Sequence, residues 1–170
     1  MDTTNAPQIV ELFSKSITFT PFETRWIPCS ARFVLLGQTP KAKGIMQIYQ
    51  LKEGKMDLVK EYEKENGLKT ATFGSSSISQ RDIAVGDFKG FLNIYDIETG
   101  KEKYKVQAHK QIINSIDGIG SAGPEYGSEE LVTGSRDGAV KVWDKRQDSP
   151  VLSLEPAESE KILPDCWTVW

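Results

Sequence analysis

Two cysteines and a single histidine limit the chemistry open to this chain. Cys29 and Cys166 stand far apart, and His109 is the only imidazole in 170 residues. Two distant thiols do not make the disulfide framework of a small secreted domain, so reduced thiols in a cytosolic protein are expected. The same three side chains cannot close a four-ligand zinc site, and no metal is expected. Long apolar runs are missing too: none approaches the roughly 18 residues that a membrane helix requires. The N-terminus, MDTTNAPQIVELF, has no basic segment followed by an apolar core, which argues against a secretory signal. Basic residues are in deficit, with 21 Lys and Arg against 24 Asp and Glu and a net charge of −3. That balance speaks against a nucleic-acid binder, which usually carries a basic face. No G-x-x-x-x-G-K-[ST] phosphate loop and no G-x-S-x-G elbow occurs, so phosphate-loop and hydrolase chemistry find no foothold. No window carries a helical apolar stripe.

What is present is a repeat. GAVKVWD (138–144), GFLNIYD (90–96) and GIMQIYQ (44–50) share one pattern: Gly, any residue, apolar, polar, apolar, aromatic. Upstream of each lies a short apolar strand ending in Gly: ELVTG (130–134), DIAVG (82–86) and FVLLG (33–37). The glycine pairs Gly134/Gly138 and Gly86/Gly90 suit a tight hairpin turn, whereas Gly37 and Gly44 imply a three-residue insertion in the first copy. A further strand precedes each pair (22–27, 68–73, 112–117) and another follows it (55–62, 102–107, 151–155). Period-two alternation in most of these segments predicts half-buried antiparallel strands. Four strands recurring about every 45 residues is the pattern of a β-propeller blade. The expected class is therefore all-β, a partial propeller of about three four-stranded antiparallel blades. Blade one takes 21–65, blade two 66–107 and blade three 108–156, with 157–170 opening a fourth. Residues 1–20 form an N-terminal segment in which QIVELF (8–13) is read as a strand that would complete the last blade.

The third copy resembles a WD40 repeat, with Ala108-His109 at the Gly-His position and Trp143-Asp144 as the terminal dipeptide. The resemblance implies a hydrogen-bonded tetrad of His109, Ser135 (or Thr133), Asp137 and Trp143. A buried imidazole and a buried indole N–H each require a partner, and a carboxylate anchors the series. The first two copies have no such tetrad: Lys89 replaces the turn aspartate, Tyr95 and Tyr49 replace the tryptophan, and no histidine precedes them. Packing and strand pairing are expected to hold those blades. Longer segments, ATFGSSSISQRDIAVGDFKGFLNIYDIE (71–98) and HKQIINSIDGIG (109–120) among them, resemble the first half of WD-repeat axonemal dynein assembly factors. Members of the WD40 family close seven blades, which at this period needs roughly 300 residues or more. The chain is accordingly read as part of a longer propeller, with completion by self-association, or no function of its own, as alternatives.

No enzyme and no cofactor are expected. His109, Ser135 and Asp137 imitate a hydrolase triad but are read as structure. Glu61, Glu63 and Glu65 are read as a solvated face, and the loop 118–130 as flexible by composition. A propeller works through the loops at its ends, and the candidate partner surface is Asp87, Phe88, Lys89, Lys110 and Arg136. An exposed aromatic among charges, here Phe88, is the composition of an interaction anchor. The resemblance implies a scaffold in cytoplasmic dynein preassembly, with co-chaperone machinery of the R2TP and prefoldin-like type and dynein heavy chains as protein partners. No nucleic acid, membrane or small-molecule substrate is implied. An alternative comes from Trp143-Asp144-Lys145-Arg146, a W-D-x-R box, with Arg146 contacting the adaptor of a cullin-RING ubiquitin ligase.

Overall fold

The computed structural model describes residues 10–120, 128–157 and 165–169. Within them lie twelve strands and no helix, in three separate four-stranded antiparallel sheets. The first sheet holds β1 (Thr20–Trp26), β2 (Arg32–Gln38), β3 (Gly44–Lys52) and β4 (Lys55–Lys64) in that order. The second holds β5 (Leu68–Thr72), β6 (Ile83–Asp87), β7 (Phe91–Tyr95) and β8 (Glu102–Gln107). The third holds β9 (Ile113–Ile119), β10 (Glu130–Ser135), β11 (Val140–Asp144) and β12 (Leu152–Leu154). Every sheet is a simple meander, each strand pairing antiparallel with the next in sequence.

Two apolar layers join the sheets face to face. Val34, Leu36, Met46 and Ile48 of the first sheet meet Ile83, Val85 and Tyr95 of the second. Ala84, Leu92 and Ile94, on the opposite face of the second sheet, meet Ile113, Ile116, Leu131 and Trp143 of the third. The middle sheet is thus covered on both faces, which explains why β6 is buried at every position. The outer strands β4 and β12 keep one or both faces exposed.

The register locates the repeat more finely than the glycines do. The aromatic positions pair as Phe33↔Tyr49, Ile83↔Tyr95 and Leu131↔Trp143. The first hairpin therefore spans 33–49 where the others span 83–95 and 131–143, so it is four residues longer, not three. Gly37 stands one position later than Gly86 and Gly134, and the equivalent of Gly37 is Asp87 in the second copy and Ser135 in the third. The inner ladders agree, since Pro21 pairs with Gly37, Leu68 with Asp87 and Ile113 with Ser135. Just past each of these pairs a β-bulge interrupts the inner strand, at Phe22, Lys69 and Asn114. A bulge re-aims one side chain and bends the strand. The recurrence is invisible in the sequence because these bulged residues share no chemistry.

The segment 165–169, expected to open a fourth blade, joins no ladder among the described residues. It lies instead against the third sheet: the Cys166 N–H donates to the Ser135 carbonyl at 3.0 Å, and the Asn114 amide donates to the Cys166 carbonyl at 2.9 Å. Of the strand expected at 8–13, residues 10–13 carry no pairing and 8–9 lie outside the described residues. A strand exists only against a partner, and neither segment makes ladder pairing here. Residues 121–127 of the long loop also lie outside the described residues.

Candidate functional site

The β2–β3, β6–β7 and β10–β11 turns and the connections that enter β5 and β9 all gather at one end of the sheets, the upper rim. Beneath that rim the third sheet holds its polar network. The connection into β9 carries His109, whose side chain is fully buried. Its Nδ1 lies 3.1 Å from Asp137 Oδ1, and its Nε2 lies 2.8 Å from Thr133 Oγ1. The Trp143 indole N–H donates to that same hydroxyl at 2.9 Å. One proton arrangement satisfies all four groups: Nδ1–H donates to Asp137, the Thr133 hydroxyl donates to Nε2, and the indole donates to Thr133. Asp137 also accepts from the Lys110 and Ala139 N–H groups, at 2.9 and 3.1 Å.

Thr133, not Ser135, therefore supplies the hydroxyl of the tetrad. Both residues project from one face of β10, but only Thr133 lies level with the imidazole and the indole. Ser135 serves the turn: its Oγ accepts the Asp137 N–H at 3.1 Å and lies 3.4 Å from the Gln111 carbonyl. Thr133 is wholly inaccessible, so no substrate carbonyl could reach its hydroxyl.

Burial pushes the His109 imidazole below its ordinary range, and the Asp137 carboxylate only partly opposes this. Burial alone would raise Asp137, but the Lys110 and Ala139 N–H groups hold it low. The neutral histidine contributes stability that is complete above the ordinary value of about 6.5 and lost as pH falls through the lowered folded value. The urea midpoint of the chain is expected to decline between pH 7.5 and 5.5, and His109→Asn to flatten that decline. An unchanged slope in the variant would assign the pH dependence elsewhere.

The other sheets have their own polar ties, beyond the packing and strand pairing expected of them. In the second, Asp87 takes the place of Ser135 and accepts the Lys89 and Phe91 N–H groups, both at 2.8 Å, and the Asn66 amide at 2.9 Å. In the first, the Tyr49 hydroxyl donates to Gln47 at 2.7 Å, and Gln47 in turn donates to Glu61. The Lys64 ammonium lies 3.9 Å from the centre of the Tyr95 ring, a contact that helps fill the tryptophan's place in the second sheet.

The candidate surface residues part company. Asp87 is only 2% exposed and belongs to the turn, not to the surface. Phe88 neither projects freely nor folds onto its own hairpin. It packs on the bulge residue Phe22 of the first sheet, ring centres 5.0 Å apart, with the Lys69 ammonium 4.8 Å from the Phe22 ring. Lys89 and Lys110 come together along one groove, where the Gln107 amide donates to the carbonyls of Lys89 and His109. Arg136 turns away toward Asp165, at 3.8 Å. Lys105 and Lys141 also line the groove and escape sequence inspection, since each reads as an ordinary polar position on an alternating strand. At the opposite, lower rim, the Arg146 guanidinium bends back on Asp144 in a forked contact, which holds the Asp144 carboxyl down at about 2. Among the described residues, no helix is long and apolar enough to cross a membrane, and no three acidic, His or Cys side chains group as for a metal.

No family model matches the chain. It is 51% identical over 165 residues to dynein axonemal assembly factor 10 of Danio rerio, a match covering 96% of this chain and 46% of that protein. The protein of the same name from Chlamydomonas reinhardtii is 45% identical over 171 residues, covering 99% of this chain and 48% of its own length. The chain thus spans about half the length of these curated relatives. Among solved structures, the WD40 repeats of RRP9 superpose with a TM-score of 0.62 at 13% identity, over 85% of this chain and 41% of that one. Three consecutive four-stranded blades, the His–Thr–Trp–Asp network and this similarity along nearly the whole chain lead to one conclusion: the chain has the WD40 propeller fold, as three blades, and is similar in sequence to these dynein axonemal assembly factors over about half their length.

Proposed function

We propose that the chain is a non-catalytic scaffold for the cytoplasmic preassembly of axonemal dynein arms. It would act by holding dynein heavy chains together with co-chaperone machinery of the R2TP and prefoldin-like type. The observation that carries this reading is the similarity to dynein axonemal assembly factor 10 in organisms as distant as Danio rerio and Chlamydomonas reinhardtii. The buried state of His109 and Thr133 supports the non-catalytic part. Affinity purification of the tagged chain from ciliating cells is expected to recover heavy chains and co-chaperone subunits. Recovery of neither would overturn the proposal.

The ligase-receptor alternative needs Arg146 to reach an adaptor; its side chain is 75% exposed at the lower rim but would have to leave the fork it makes with Asp144. Arg146→Ala is expected to leave recovery of assembly partners unchanged. Loss of a ligase adaptor from the same purification would instead favour the receptor.

A further inference from the structure

The groove at the upper rim carries a charge that the scaffold does not use. The chain as a whole is acidic, yet Lys89, Lys105, Lys110 and Lys141 line one open groove of about 700 Å³, with Glu65 the acidic residue among its walls. The groove runs over the upper edge of the second sheet toward the third. Some lysines elsewhere are closely paired, Lys103 at 2.7 Å from Asp82 and Lys60 at 2.6 Å from Glu98, whereas others stand alone among the described residues; what sets the groove apart is four of them along one wall. In the groove the partners stand off, with Lys105 at 3.6 Å from Glu65 and Lys141 at 3.9 Å from Glu155. Lys89 and Lys110 form no ion pair among the described residues. Charge-assisted bonds to carboxylates settle at about 2.7–2.9 Å, so four ammonium groups here remain short of their preferred partners.

The walls are built to hold this arrangement open. Gln107 is fixed by its bonds to the Lys89 and His109 carbonyls, tying the β6–β7 turn to the connection entering β9. Lys141, whose side chain is 18% exposed, is steadied by the Ala108 carbonyl at 3.1 Å. The Lys105 stem lies over Phe91, its ammonium 4.9 Å from the ring centre. Cations placed along an open groove, with an aromatic beneath one of them, match an extended acidic segment.

We infer that this groove docks an acidic stretch of a partner polypeptide, its carboxylates bridging Lys89, Lys105, Lys110 and Lys141. The inference rests on the scaffold reading and names the chemistry by which the scaffold would hold a client or co-chaperone. The commitment is to protein carboxylates and not to nucleic acid, because the phenyl ring of the groove, Phe91, lies under the Lys105 ammonium and so does not offer an open face for stacking bases.

A labelled Glu-rich peptide, followed by fluorescence anisotropy, is expected to bind the 170-residue chain with an affinity that weakens as salt rises. Lys89→Glu with Lys110→Glu is expected to weaken binding at least about tenfold, since rim-charge reversal sets like charges against each other. Lys89→Gln with Lys110→Gln should weaken it less, and Lys101→Glu at the lower rim should leave it unchanged. Melting curves of each variant confirm the fold, since all three positions are exposed. Absence of peptide binding, indifference to the charge reversal, or equal affinity for a single-stranded oligonucleotide would overturn the inference. A chain that recovers assembly partners from cells yet ignores the peptide defeats the groove alone. One that binds the peptide yet recovers no assembly partner defeats the function proposed above.

Discussion

Trp143→Ala is expected to lower the unfolding free energy by about 3–5 kcal/mol, the usual range for deleting a buried aromatic side chain. The indole is 2% exposed and sits among Leu131, Ile113, Ile116 and Ala84, at the layer joining the second and third sheets. Its loss opens a cavity where two sheets meet, and neither can relax far into it while its ladders hold. The N–H adds a smaller share: Trp143→Phe keeps most of the packing and removes one bond to Thr133, at a cost of about 0.5–1.5 kcal/mol. Urea midpoints of the two variants at pH 7.5 separate packing from hydrogen bonding. Equal losses in both would mean that the network, and not the apolar layer, dominates at this position.

Gly90→Ala is expected to destabilise by roughly 2–4 kcal/mol, combining left-handed backbone strain of about 1–3 kcal/mol with a steric clash. Gly90 has φ +83°, and a β-carbon there would fall 2.3 Å from the His109 carbonyl oxygen and 2.6 Å from that of Gln111. Both obstacles are backbone, so no side chain can swing aside. Gly54 provides the control. Its φ is +70°, yet nothing lies within 4 Å of the added carbon. Gly54→Ala should therefore show the strain without the clash and cost distinctly less. If the two variants melt alike, the close approach of the β6–β7 turn to the next connection has no energetic weight.

Much of this architecture is legible in the residues. The Gly-x-apolar-polar-apolar-aromatic pattern places β3, β7 and β11, and alternation places their neighbours, because hairpin geometry and half-burial leave direct marks on composition. Gly37 misleads because it resembles Gly86 and Gly134 in type but not in register. Only the ladder shows that its counterparts are Asp87 and Ser135. The same ladder explains Thr133: residues 131, 133 and 135 all project from one face, so alternation cannot choose between the two hydroxyls, and the height of the imidazole decides. Asp87 reads as a surface charge because a sequence does not reveal that a turn carboxylate can fold inward onto its own N–H groups. Lys105 and Lys141 escape notice for the opposite reason: they become neighbours only when the second and third sheets stack.

The close fit at Gly90 has one more consequence. Its carbonyl accepts the N–H groups of both Ala108 and His109, at 3.0 Å each, so the strap that carries the imidazole of one blade is moored on the hairpin of the blade before it. The second and third blades therefore do not open independently. Amide protons at 108 and 109 should exchange with solvent only in the event that releases both sheets, and at one shared rate. In a molecule built of repeats, that mooring makes two of them a single cooperative unit.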